Sequence, residues 1–310
     1  MFPATTERPP LRIAFGRDPA AFLDAGVTVL GGDEVDDLFA AAQPSGRSSS
    51  LALFRMEDWL LGAGTVPAAS GLEQATQRLF QNLFKTTRGF HVARIWSYVP
   101  AINEPGPSGL ENYRAFCRGR SLAFEQRHGP EFKLRVPAAS AVGCASPRLT
   151  VAFAACQAEP RHVENPLQMP ACDYPREYGP RSPSFTRATI VPGDREAAVF
   201  VSGTAAIRGH ATVAPDELAG QLECTLENLH EISRACGLGP RLDQGGQSSR
   251  RFKVYLRRAA DQPLVAATLG ERFFGPGDRV SYLRADICRK PLLVEIEATL
   301  FGVPNSAFAR

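Results

Sequence analysis

Apolar positions along this 310-residue chain alternate between two periods. Residues 11–15 (LRIAF), 26–30 (GVTVL) and 51–54 (LALF) are short apolar runs bounded by Gly, Pro or Ser, which predicts strands. The polar stretch 43–50 (QPSGRSSS) reads as a loop. Over 70–84 the period lengthens. Leu72, Ala75, Leu79 and Leu83 recur every three or four positions, the stripe of a helix, with Ser70 and Glu73 spaced as a capping box. Residues 90–98 (FHVARIWSY) alternate as a strand, 109–127 form a polar helix rich in Arg and Glu, and 149–155 (LTVAFAA) form a buried strand.

The second half follows the same order. A strand at 197–202 (AAVFVS) precedes a helix at 216–233, whose face carries Leu218, Leu222, Leu226 and Leu229. Pro215 leads into that helix, and Asp216 and Glu217 in its first turn suit the helix dipole. Further strands at 252–257, 280–287 and 292–300 flank a short helix at 263–273. LALF pairs with VFVS, ARIWSY with FKVYLR, and Cys144-Ala-Ser-Pro147 with Cys288-Arg-Lys-Pro291, an offset of 288 − 144 = 144 residues. The expected fold class is therefore α+β, an internal duplication of one unit. The join, 157–184, holds six prolines and no helix is expected in it. It also carries Tyr174, Arg176, Tyr178 and Arg181, so a stiff crossover packed beside a site competes with a plain linker.

Composition narrows the function. Hydrophobic residues make up 44%, enough for a real core, and the net charge of +3 argues against a nucleic-acid scaffold or a membrane-surface module. Seven cysteines, no two closer than twelve positions, give neither a CxxC pair nor a disulfide framework. The start, MFPATTERPP, has Glu7 and prolines where a secretory signal needs an apolar run, and the uncharged stretch 60–72 contains Gly and Pro. A reduced, soluble cytoplasmic protein is expected. GxGxxG, P-loop and GxSxG motifs are missing, and His230-Glu231 is followed at 234 by Arg rather than a second zinc ligand.

A pair of acids remains. In 292–297 (LLVEIE), Leu293, Glu295 and Glu297 share one strand face while Val294 and Ile296 share the other. A carboxyl on an inward face is desolvated and holds its proton to higher pH, as a general acid requires. The same alternation also fits a solvated face with two ordinary charges. Under the 144-residue offset, Val151 is the partner of Glu295, so the acid belongs to the second half alone. Arg257 ends the strand FKVYLR with Tyr255 two residues earlier on the same face. Arg, Tyr and a protonated Glu together suit a small dianionic acid.

The blocks RIWSYVPAINE (94–104), ENYRAFCRGR (111–120), ENPLQMPACDYPREYGPRSPSFTRA (164–188), SGTAAIRGH (202–210) and ADICRKPLLVEIE (285–297) occur in an order that resembles the chorismatases, within the YjgF/RidA-like superfamily. The likeness runs from about residue 90 to the C-terminus. It implies two fused RidA-like α+β units with mixed sheets and helices packed on one face. The division is an N-terminal unit at 1–156 without the catalytic Glu, a Pro-rich crossover at 157–184 and a catalytic unit at 185–310. It implies chorismate as substrate, with no metal and no organic cofactor. An acid protonates the enol ether at its methylene carbon and pyruvate leaves. The family's essential Glu falls on Glu295, and Cys288 and Ala205 fall on or near positions that set the product. Gly203 lies in the same SGTA block, and Tyr178, Arg181, Arg257 and Tyr255 are the candidates for holding substrate.

A thiol at 288 favours 3-hydroxybenzoate, whereas Ala205, larger than Gly, favours hydrolysis to a dihydroxycyclohexadiene carboxylate. The aromatic product is the reading adopted. The alternatives are the hydrolytic chorismatase, a RidA-like imine deaminase and a non-catalytic small-acid-binding protein. Neither nucleic acid nor membrane is an expected partner, and a fused pair of units is expected to be a monomer or a weak oligomer.

Overall fold

A computed structural model describes residues 11–15, 23–69, 71–242 and 248–308. The N-terminal segment carries β1 (Ile13–Ala14), β2 (Leu23–Asp24), β3 (Thr28–Gly32) and β4 (Val35–Asp36). Next come β5 (Gln43–Ser48), β6 (Leu51–Met56), β7 (Trp59–Pro67), α1 (Leu72–Thr86), β8 (His91–Pro100), α2 (Asn112–His128), β9 (Ala138–Cys144) and β10 (Arg148–Cys156). The remainder is β11 (Arg161–Val163), β12 (Ala188–Val191), β13 (Glu196–Ala205), a β14–β15 hairpin (Ile207–Arg208, Ala211–Thr212), α3 (Leu218–Ala235), β16 (Ser249–Leu256), α4 (Gln262–Arg272), β17 (Arg279–Arg284) and β18 (Val294–Pro304).

Two large mixed sheets have one strand order. The first runs β5-β6-β7-β10-β8-β9 and the second β11-β12-β13-β18-β16-β17, and β3 adds to the far edge of the second. The pairings also match in sense: β8–β9 and β16–β17 are parallel and the rest antiparallel. Alternation along each strand gives every sheet two apolar faces. One face of the first sheet packs under α1 and α2 through Leu79, Phe80, Phe116 and Phe153. The second is covered by α3 and α4 through Leu222, Leu229, Val265 and Ile296. The other two faces meet, with Trp96, Phe54 and Ala152 against Phe200 and Tyr255. The result is four layers, helix, sheet, sheet, helix.

Several sequence expectations are corrected. Residues 43–50 are not a loop: β5 is an edge strand, where Pro44 and a bulge at 44/46 break no interior ladder. By sheet position LALF in β6 corresponds to β12, and VFVS in β13 to β7 rather than to LALF. The chain's halves are also not self-contained, since β3 from residues 28–32 belongs to the second sheet. Glu217 is the cap of α3 rather than a first-turn residue, and its carboxylate accepts from the Ala219 and Gly220 amides. The proposed cap Ser70 lies outside the described residues; α1 begins after Gly71 with no side-chain cap. The crossover has no α-helix but contains β11 and two single 3-10 turns, Ala171–Asp173 and Arg176–Tyr178. Among the described residues, no helix is long and apolar enough to cross a membrane.

Candidate active site

A cavity of about 600 Å³ opens where the edge of the first sheet meets the central strands of the second. Glu295 of β18 lies in its wall beside Gly203 and Ala205 of β13, its neighbours across the ladder. From the first sheet come Ser140 and Ala139 of β9, and α2 with its approach adds Tyr113 and Arg120. The crossover provides Tyr174 and Tyr178, the segment leading into β12 provides Phe185 and Arg187, and the loop before β18 adds Cys288 and Arg289.

Glu295 is 4% exposed. Burial, reinforced by the negative charge of Glu297, lifts its carboxyl to about 8, although Arg94 and Arg187 pull the other way. It is therefore protonated at neutral pH, facing a cavity. Gly203 makes room for it, because a Cβ there would sit 2.0 Å from Glu295 Oε1. Glu297, two residues on, is its opposite. Burial alone would raise it, but Lys253 and Arg94 hold it below the usual carboxylate range. Trp96 Nε1 and Arg94 Nη2 each donate to it at 2.8 Å, and Lys253 Nζ lies at 3.1 Å. Two acids on one strand face thus take opposite protonation states because their partners differ. Burial and the nearby Glu295 push the Cys288 thiol up to about 12, so it stands as a neutral S–H.

Cations dominate the remaining wall. Arg120 is 1% exposed, its guanidinium lies over the rings of Phe116 and Phe185, and it has no ion pair among the described residues. Arg289 stacks 4.0 Å from the Tyr178 ring centroid and donates to the His210 carbonyl at 2.8 Å. It has no carboxylate partner among the described residues, and its Nη2 is buried without an acceptor. Arg187 donates to Tyr174 Oη and the Met169 carbonyl, both at 2.9 Å, and Glu164 is 3.9 Å from its Nε. Buried guanidinium groups left short of anions carry an uncompensated desolvation cost. An anionic ligand would supply the missing charge. Among the described residues, no group of three or more His, Cys, Asp or Glu could hold a metal ion.

The residues singled out from the sequence separate into two sets. Glu295, Cys288, Tyr178, Gly203 and Ala205 line the cavity. Arg181, Arg257 and Tyr255 do not. Arg181 points away to α2, pairing with Glu125 at 2.7 Å. Arg257 is tied up as a brace: its Nε donates to the Leu292 carbonyl, Nη1 to Asp286, and Nη2 to Asn103 Oδ1 and the carbonyls of Ile287 and Arg289. It fixes the loop that presents Cys288 and Arg289. Tyr255 is fully buried under the cavity floor, beside Tyr98 and Glu297. The offset that made Val151 the partner of Glu295 is one residue out. Val151 points to the helix side, whereas its neighbours Thr150 and Ala152 share the face toward the other sheet, as Glu295 does. A one-residue slip exchanges the faces of a strand.

The profile described as "Chorismatase FkbO/Hyg5-like, N-terminal" matches residues 38–155. A 3-hydroxybenzoate synthase of Streptomyces hygroscopicus is 37% identical over 254 residues, covering 78% of this chain and 74% of that protein. The chain belongs to the chorismatase family. A chorismatase of Streptomyces rapamycinicus is 36% identical over 280 residues, spanning 86% of this chain and 83% of its own length. A crystal structure of a chorismatase superposes with a TM-score of 0.77 at 28% identity, over 94% of this chain and 91% of that one.

The family blocks quoted from the sequence contain the arginines that residue-by-residue reasoning passed over. One signal was available. Phe116, Arg120 and Phe124 are spaced by four, so Arg120 lies on the apolar stripe of α2 and is buried with it. Arg187 and Arg289 had no such signal, since their burial depends on the crossover folding over the loop before β18.

Proposed function

We propose that this chorismatase-family chain is an enzyme that splits chorismate into pyruvate and 3-hydroxybenzoate. The observation that carries the reading is a protonated, buried Glu295 in the wall of a cavity lined by Arg120, Arg187 and Arg289. The cations hold the two carboxylates of the substrate and the aromatic wall of Tyr174 and Tyr178 accepts its ring. Glu295 breaks its O–H bond and the proton forms a C–H bond at the terminal methylene carbon of the enolpyruvyl ether, leaving positive charge on the ether-bearing carbon. The hydroxyl oxygen on the adjacent ring carbon bonds to the ether-bearing ring carbon as the ring C–O bond breaks, so pyruvate departs and a ring epoxide is left. The epoxide then opens at the adjacent carbon, the hydroxyl's proton ends on the phenolic oxygen, and oxygen stays on the carbon that carried the ether. Substrate and the two products balance without water, so the proton given by Glu295 is regained from the ring as it becomes aromatic. A general acid contributes roughly 100- to 10,000-fold to such a step.

The aromatic product is favoured by Cys288, a neutral thiol in the cavity wall, and by the likeness to a 3-hydroxybenzoate synthase. Ala205, across the ladder from Glu295, favours the hydrolytic outcome, which consumes one water and gives the dihydroxycyclohexadiene acid. We read the repeated strand order as two RidA-like units, 1–156 and 185–310, joined by 157–184. Incubating the purified protein with chorismate, following pyruvate by a coupled assay and separating the ring product by chromatography tests this reading. Pyruvate with 3-hydroxybenzoate is expected. Pyruvate with the diene acid would reassign the product, and no pyruvate above the spontaneous rate would reject the activity.

A further inference from the structure

Behind the cavity wall lies a buried charged layer, Arg94, Glu297 and Lys253, none of which lines the cavity. Arg94 of β8 is fully buried between the sheets. Its Nη2 donates to Glu297 Oε2 at 2.8 Å and to Ser140 Oγ at 3.0 Å, and Ser140 lines the cavity with Glu295. Its Nε and Nη1 are buried and have no acceptor among the described residues. An Arg that uses one of its three nitrogens and buries the other two is short of a partner. Glu297 is also held by Trp96 and by Lys253, whose second acid is Asp36 at 2.6 Å.

We propose that Arg94, supplied by the first sheet, is the positioning residue that receives the charge of Glu295. Its Nε–H and Nη1–H, on either side of the occupied Nη2, are the donors left for the carboxylate that forms once the proton has gone to substrate, and Glu297 holds the guanidinium through Nη2. The inference rests on the reading of Glu295 as the general acid. Glu297 and Arg94 then act on Glu295 in opposite senses: the acid keeps it protonated before reaction and the base stabilises it afterwards. Other groups face Glu295 from the packed elements, namely Arg187 ahead of β12, Cys288 and Arg289 in the loop, Arg120 on α2, and the buried Tyr98, Tyr255 and Lys253 below. Arg94 differs from these in joining the two sheets through Glu297, bonding the cavity-lining Ser140 of its own sheet and keeping donors unused.

The test compares Arg94→Gln, Glu297→Gln and Arg94→Lys with the parent. Two readouts are used: the alkaline limb of kcat/KM for chorismate, and an infrared titration of the protonated carboxyl band, assigned to Glu295 by its loss in Glu295→Gln. Removing a charge this close moves a carboxyl by about one pH unit. Arg94→Gln should shift both readouts upward and lower kcat roughly 30-fold with KM within about threefold, as loss of a stabilising donor does. Glu297→Gln should shift both downward. Arg94→Lys keeps the charge, so its limb should stay near the parent's while kcat falls, which also keeps the test open if the Gln variant does not fold. Shifts in the same direction, or none, overturn the inference. Infrared shifts as stated in a protein that ignores chorismate would sink the substrate reading and leave this one standing. Turnover with unshifted titrations would do the reverse.

Discussion

Strands β10 and β18 hold the same place in two sheets of the same order, each between the strand before its helix and the strand after it. Their faces toward the sheet–sheet interface differ completely. In β10 that face reads Thr150, Ala152, Ala154, small residues that pack against the opposite sheet. In β18 it reads Glu295, Glu297, Thr299. The architecture therefore does not need acids at this position, because the first sheet is built without them. The first sheet instead sends counter-charge across: Arg94 and Trp96 of β8 hold Glu297, and Arg120 of α2 enters the cavity. One sheet carries the acid, and the other, with its helices, supplies Arg94, Trp96 and the cavity-lining Arg120.

The comparison breaks most sharply if an acid is placed on the other strand. Thr150→Glu puts a carboxylate on the same face of β10, opposite Tyr98 rather than beside Gly203 and Ala205. A buried acid lacking partners costs several kcal/mol. Thermal unfolding should therefore fall by about 6 °C or more. An unchanged midpoint would mean that the two faces are interchangeable.

A smaller loss is expected at Gly203→Ala. The added Cβ would lie 2.0 Å from Glu295 Oε1, so the carboxyl must rotate off its position. Pyruvate release should drop roughly 100-fold with the fold retained, the size seen when a reacting group is displaced by about an ångström. Parent-level release would show that the acid has no fixed position to lose.

Arginines sharpen the contrast further. Arg120→Met removes a buried cation with no ion pair among the described residues, and KM for chorismate should rise about 30-fold, within the range for a charged hydrogen-bond partner. Arg181→Met cuts an exposed pair with Glu125 and should change KM less than about twofold. Equal effects would contradict the division between cavity and crossover surface.

The smallest effect is on stability against pH. Glu295 is raised from 4.5 to about 8 in the native state, so between those values the native protein holds a proton that the unfolded chain has lost. This group's stabilisation is complete below the lower value and is lost as pH rises through the upper one. Glu295→Gln removes that dependence. The melting temperature of the variant relative to the parent should climb by a few degrees between about pH 5 and about pH 9. A constant difference would mean that Glu295 is ionised throughout.

How far the sequence reaches is visible in the same strands. Alternation in LLVEIE put Glu295 and Glu297 on one face and Val294 and Ile296 on the other, as observed, because a period of two is a property of the strand itself. The order of strands and helices was legible for the same reason. The 144-residue offset failed because it joins opposite strand faces: register is set by cross-strand partners, Ser97 for Val151 and Tyr255 for Glu295, rather than by a shared Cys-x-x-Pro. The edge strand β5 was missed because an edge tolerates Pro, Gly and Ser that read as loop. Arg257 and Arg181 lie off the cavity because an Arg near a site in sequence can equally serve a loop's carbonyls or a helix's Glu. Only tertiary packing separates those fates.

The central claim is that one buried acid starts the reaction. Pyruvate release from chorismate by Glu295→Gln, on protein whose melting shows it folded, tests it most directly. Release indistinguishable from the spontaneous rate is the predicted result, and turnover near that of the parent would contradict the account.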